Sequence, residues 1–146
     1  KQVETALGES GIPPSKLELE LTESVLMHDG ELVTGALRQL KALGVKLSID
    51  DFGTGYSSFA YLRRFKCDKI KIDQSFVHDL IDDPDNAAIV RGIISLAQSL
   101  GLDVLAEGVE NVAVAQRLKH LRCPYAQGYY FSRPLRPELF LERANA

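Results

Sequence analysis

Asp50 and Asp51 stand side by side in KLSIDDFGTGYSS (46–58), where an alternating strand pattern gives way to a loop with two glycines. Like charges that close repel by about 1 kcal/mol at 4 Å in water and about 4 kcal/mol at an effective dielectric of 20. Such a pair calls for protons or a cation. Two further carboxylates hold matching places at the ends of other strand-like runs: Glu20 in LELELT (17–22) and Glu107 in DVLAEG (103–108). Hard oxygen donors favour Mg²⁺, Mn²⁺ or Ca²⁺. His28, His78 and His120 form no HxxxH or His/Cys cluster, so a zinc site is not expected. Consecutive residues of a regular strand point to opposite faces. At a strand end the backbone turns, so both aspartates can reach one side. Asp50 could bridge two metals and Asp51 serve the second. Two ions about 4 Å apart would clamp the attacking and leaving oxygens of a phosphodiester. Lys71, in KIKID (69–73), could hold a nucleophilic water or a phosphate oxygen. The glycines of FGTGYSS permit a close backbone approach to a ligand, but the run lacks the Gly-Lys-Ser/Thr of a P-loop.

These residues need elements to carry them. Short apolar runs alternate with helical patterns. Strands are expected at 17–22, 46–50, 69–73, 103–108 and 125–131 (YAQGYYF). A helix capped by Asp29 carries Leu32, Val33, Ala36, Leu37, Leu40 and Leu43 on one face and stops at Gly44. A short helix is expected around 56–64. A longer one, capped by Asp85, turns Ile89, Ile93, Leu96 and Leu100 inward and stops at Gly101; Asn111 caps another to about Leu121, and a terminal helix starts near Pro137. One junction repeats: KALGVKLSIDDFG and QSLGLDVLAEGVE share a helix–Leu–Gly–strand–acid–Gly pattern. Strand–helix alternation of this kind implies parallel strands joined by crossover helices.

Parallel strands covered on both faces normally read as continuous apolar runs. These strands instead alternate, and one face of each carries a polar group near its C-terminal end: Glu20, Asp50, Lys71, Glu107 and Gln127. An α/β barrel, whose inner face converges on an axis and whose site lies at the C-terminal mouth, accounts for that parity better than an open doubly wound sheet.

The bulk numbers agree with this. The chain has 146 residues, 45% hydrophobic and 25% charged, with a net charge of −3, which fits one globular domain or part of one. That charge argues against a broad DNA- or RNA-binding surface. Cys67 and Cys123 lie far apart and read as reduced thiols of a cytosolic protein. No apolar run approaches the roughly 18 residues of a membrane span, and no signal peptide is visible. The chain opens at Lys1, which suggests an excised segment.

The motifs ELTES (20–24), DDFGTGYSS (50–58), KID (71–73), AEGVE (106–110) and QGYYFSRP (127–134) together resemble the EAL-domain phosphodiesterases, which hydrolyse bacterial cyclic di-GMP to linear pGpG. The likeness runs from about Leu17 to Leu141. It implies a TIM-like barrel, often dimeric, that binds two Mg²⁺ or Mn²⁺ ions. It makes Glu20, Asp50 and Asp51 metal ligands, Lys71 the residue that orients the catalytic water, and Glu107 a glutamate that positions metal and water. Gln127 would lie near the second ion. Glu23 would anchor the DDFGTGYSS loop, and Asp73 and Glu110 would support the ligands from behind. The Glu-Ala-Leu signature itself is absent from the chain. The resemblance therefore makes residues 1–146 the C-terminal portion of a single EAL domain, a partial barrel of about five parallel strands. An asparagine ligand and roughly three strands are expected upstream. Such a segment should be inactive alone and should expose strand edges that pair with the missing half or with another copy.

The expected activity is thus metal-dependent cyclic di-GMP hydrolysis by a cytoplasmic bacterial protein, with a GGDEF or sensory domain upstream in the parent. A non-catalytic cyclic di-GMP-binding module is the alternative; the intact ELTE and DDFG motifs favour the enzyme. Another Mg²⁺-dependent barrel acting on a phosphorylated or carboxylate substrate fits the inner face but not the motif set.

Overall fold

The computed structural model describes residues 1–22, 25, 31–55, 62 and 66–144, with the side chains of 31 and 32 left aside. The expected Asp29 cap and most of the expected helix at 56–64 fall outside these residues. Five strands, β1 (Glu18–Thr22), β2 (Lys46–Phe52), β3 (Lys69–Ile72), β4 (Asp103–Ala106) and β5 (Tyr125–Ala126), form one sheet in chain order. Every neighbouring pair is parallel. The helices are α1 (Gln2–Ser10), α2 (Glu31–Ala42), α3 (Gln74–His78), α4 (Pro84–Leu100), α5 (Val112–His120) and α6 (Pro137–Ala144). This is an arc of an α/β barrel, and β1 and β5 do not pair with each other among the described residues.

One face of the arc builds the core. Leu47, Ile49, Ile70, Ile72, Val104 and Ala106 are buried against Leu37 of α2, Val90, Ile93, Ile94 and Ala97 of α4, and Val114 and Leu118 of α5. Alternation along each strand sends the intervening residues to the other face, where Ser48 and Lys71 are also buried.

The helix patterns need three corrections. α4 is capped by Asp83, which accepts from the Asp85 amide, and not by Asp85 itself. Pro84 takes the first helical position, where its missing N–H costs nothing. The inward stripe of α4 is shifted in part: Ile93 is buried and Leu96 packs against the core as expected, but Ile89 and Leu100 are each 39% exposed, and Val90, Ile94 and Ala97 join the interface. On α2, Ala36 is exposed and Thr34 is buried in its place. The repeated junction holds. Gly44 (φ 88) and Gly101 (φ 69) both turn the chain from helix into strand through the left-handed region.

β3, β4 and β5 end sooner than expected, whereas β2 runs two residues further, to Phe52. β5 covers only Tyr125–Ala126, because Gly128 leads the chain into turns. β3 stops before Asp73, which caps the unforeseen helix α3 by accepting from the Ser75 amide.

Candidate active site at the C-terminal rim

β2 explains the adjacent aspartates. Its pairing with β3 slips between Ile49 and Phe52, a bulge, and Asp51 takes φ 53. The strand thus spends one extra residue at its end. Thr54 fixes the turn, its hydroxyl donating to Asp51 O at 2.9 Å. Asp50 and Asp51 consequently reach the same region: one carboxylate oxygen from each, with one from Glu107, all lie within 4.8 Å of one another.

Lys71 is the centre of the inner face. The residue is only 5% exposed. Its Nζ forms ion pairs with Glu20 Oε1 at 2.8 Å, Asp50 Oδ1 at 2.8 Å and Glu107 Oε1 at 3.0 Å. Burial pulls its pKa down, but the Asp50, Glu20 and Glu107 carboxylates outweigh that and hold it above the ordinary lysine value. Asp50 Oδ1 is sealed from solvent, with Lys71 Nζ 2.8 Å away. A carboxylate oxygen has two lone pairs, so one ammonium contact leaves the other open to a cation.

Glu107 lies just past β4, anchored by its amide donating to Ile72 O at 3.2 Å. Its carboxylate accepts from Gln127 Nε2 at 2.6 Å. Burial pushes its pKa above the usual glutamate value, and the Asp50 and Glu20 charges add to that against the opposing pull of Lys71. Asp51 is likewise pushed up, by partial desolvation and by the Asp50 and Asp73 carboxylates. Asp73 is held below the usual range: the Ser75 hydroxyl and amide overcome the effect of its burial. Four carboxylates, Glu20, Asp50, Asp51 and Glu107, thus gather around Lys71.

Of the residues expected from the sequence, Glu20, Asp50, Lys71, Glu107 and Gln127 come together, and Asp51 and Asp73 meet beside them. Glu20 has its side chain half exposed and is held through Lys71. Glu110 lines the adjoining cavity, and Glu23 lies outside the described residues. That cavity, about 770 Å³, runs from Asp51, Asp73 and Glu107 to Tyr129, Arg133 and Phe140. Arg133 stacks over the Tyr129 ring at 4.5 Å. Tyr129 and Arg133 belong to the motif QGYYFSRP, which by itself assigns them no individual role.

The fold and site together define a class. The model of the EAL domain family matches residues 1–134, and the chain belongs to that family. It is 45% identical over 139 residues to the "bifunctional diguanylate cyclase/cyclic di-GMP phosphodiesterase MucR" of Pseudomonas aeruginosa, covering 95% of this chain and 20% of that protein. It is 47% identical over 134 residues to the "cyclic di-GMP phosphodiesterase NbdA" of the same organism, covering 92% of this chain and 17% of that protein. The chain thus spans about a fifth of the length of these curated relatives. The MucR phosphodiesterase solved as a cyclic di-GMP complex superposes with a TM-score of 0.90 at 45% identity, covering 94% of this chain and 56% of that one. Klebsiella pneumoniae BlrP1, solved with manganese and cyclic di-GMP, superposes with a TM-score of 0.85 at 35% identity over 91% of this chain and 34% of that one. Among the described residues, no helix is long and apolar enough to cross a membrane.

Proposed function

We propose that the chain is the C-terminal portion of one EAL domain and carries the metal-binding rim of a cyclic di-GMP phosphodiesterase. The observation that supports this most is the convergence of Asp50, Asp51 and Glu107 oxygens within 4.8 Å beside a nearly buried Lys71. Hard, anionic oxygens at that spacing suit Mg²⁺ or Mn²⁺. Asp50, Asp51 and Glu107 would hold two such ions, with Glu20 joining from β1. Ions bound there would polarise the phosphodiester and make a water molecule acidic enough to attack it at neutral pH.

The chain's own residues do the rest. Lys71, kept protonated by its three partners, presents an N–H to the attacking water or to a non-bridging phosphate oxygen. Glu107 is oriented from two sides by Lys71 and Gln127 and fixes that water's position. Asp73 and Glu110 keep the rim acidic around the ligands. Water adds to phosphorus, the ribose oxygen leaves with a proton, and linear pGpG results. The same reading places the protein in the bacterial cytoplasm, as a homodimer, with a GGDEF or sensory domain upstream.

Hydrolysis of cyclic di-GMP by the domain completed with its N-terminal strands tests this. Asp50→Ala should abolish product formation in Mg²⁺ or Mn²⁺. Near-normal turnover by that variant would remove Asp50 from the site. Binding of cyclic di-GMP without cleavage by the unmutated domain would make it a receptor module.

A further inference from the structure

We propose that Gly128 is a positioning residue that holds the Gln127 amide against Glu107. Gln127 extends the β4–β5 ladder, its amide donating to Ala106 O at 2.9 Å. The two chains then clasp: the Val109 amide donates to Gln127 O at 3.0 Å, and the Tyr130 amide donates to Val109 O at 2.9 Å. Gly128 sits at the centre of the clasp with φ 154, a conformation that L side chains rarely adopt. A Cβ on it would be driven into the backbone N, C and O of Val109, atoms that cannot swing aside. The Glu107 and Gln127 main chains are thereby pinned at one spacing, with Gln127 Nε2 2.6 Å from Glu107 Oε1 although Gln127 itself is exposed. An exposed glutamine would otherwise sample many rotamers. The hydrogen bond to Glu107 holds it, and the backbone clasp sets the spacing at which that bond can form.

The functional weight of this rests on Glu107 belonging to the proposed metal site, so the test has one readout that needs no metal. Cys123 lies five residues before Gly128, so a synthetic peptide spanning 123–146 can be ligated there and carry either alanine enantiomer. The control is Gly92→Ala, on the exposed side of α4 with open space around it. L-Alanine at 128 should shift the Gln127 side-chain NH₂ resonances to those of a free glutamine. It should also raise Val109 and Tyr130 amide exchange at least tenfold, with β4 amides still protected. D-Alanine favours positive φ and carries its methyl at the other Cα position from the one that meets Val109, so it should restore the wild-type signals, also if the L variant fails to fold. Mn²⁺ affinity should fall at least tenfold for L-alanine alone. Equal damage by both enantiomers, or unmoved Gln127 resonances in a folded L variant, would overturn the proposal. So would unchanged Mn²⁺ affinity with the clasp open. Absence of Mn²⁺ binding in the unmutated chain would instead count against the metal site, and the NMR comparison would still decide the role of Gly128.

Discussion

Two charged clusters flank the same sheet, and they are built on opposite principles. Near the N-terminal ends of the strands, Lys69 reaches Glu18 at 2.7 Å and Lys41 reaches Asp68 at 2.7 Å, with Asp68 also accepting the Leu47 amide. Each lysine there has one carboxylate partner, and all four side chains keep some contact with water. At the C-terminal ends, one nearly buried Lys71 faces Glu20, Asp50 and Glu107, with Asp51 alongside. A balanced cluster is a fastener. An unbalanced one costs stability, and under the proposed function a bound cation would offset that cost.

The largest expected effect breaks that contrast outright. Lys71→Met leaves three carboxylates without a cation and should destabilise the metal-free chain by about 3–5 kcal/mol in urea unfolding. Lys69→Met and Lys41→Met, each dissolving a partly solvated pair, should cost about 1 kcal/mol. Similar losses at both ends would erase the distinction. Next in size is the response to ions: Mn²⁺ at about 100 times its dissociation constant should stabilise the unmutated chain by about 2.7 kcal/mol. Asp50→Asn should remove that gain, while Lys41→Met should keep it.

Acidification should act on the two properties with opposite sign. Glu107 and Asp51 are raised in the folded state, so there they hold protons that the unfolded chain has released. Metal-free stability at this rim therefore increases as pH falls from neutral toward the ordinary glutamate value of 4.5. Mn²⁺ affinity should weaken across the same window, because protons compete for the same oxygens. Calorimetric titration beside thermal unfolding at each pH reads both, and parallel trends would contradict the shifts. The smallest effect lies inside the cluster. Glu20→Gln should weaken Mn²⁺ binding less than Glu107→Gln, since the Glu20 side chain is 52% exposed and that of Glu107 17%.

Much of the frame was legible because period-two alternation survives wherever one face is apolar. Leu47 and Ile49 against Ser48 and Asp50, and Ile70 and Ile72 against Lys71, carry the parity and the shared rim. Helix stripes were less legible: on α4, Ile89–Leu100 and Val90–Ala97 are both apolar rows, and tertiary contact alone chooses between them. The Asp83 cap hid behind the acid-rich DDPD run, in which three positions could have served. YAQGYYF reads as a strand from its aromatics, yet the steric demand at Gly128 is a fact of the neighbouring chain and has no local signature. Glu20, Asp50, Lys71, Glu107 and Gln127 were singled out by their position at strand ends, and the structure brings them together. The clasp and the cavity's aromatic half were not, since both depend on which loops touch.

The slip in β2 has a further consequence. A regular strand offers a given face one side chain every 6.6 Å or so, too coarse for neighbouring donors from one segment. By stepping out of phase at Asp51, β2 supplies donors from successive residues and then returns Phe52 to the buried face. Removing a single residue here would do more than subtract a charge: it would invert the orientation of everything downstream of the cut until the loop absorbed the error. Chain length between Ile49 and Phe52 thus decides whether the two carboxylates share one side.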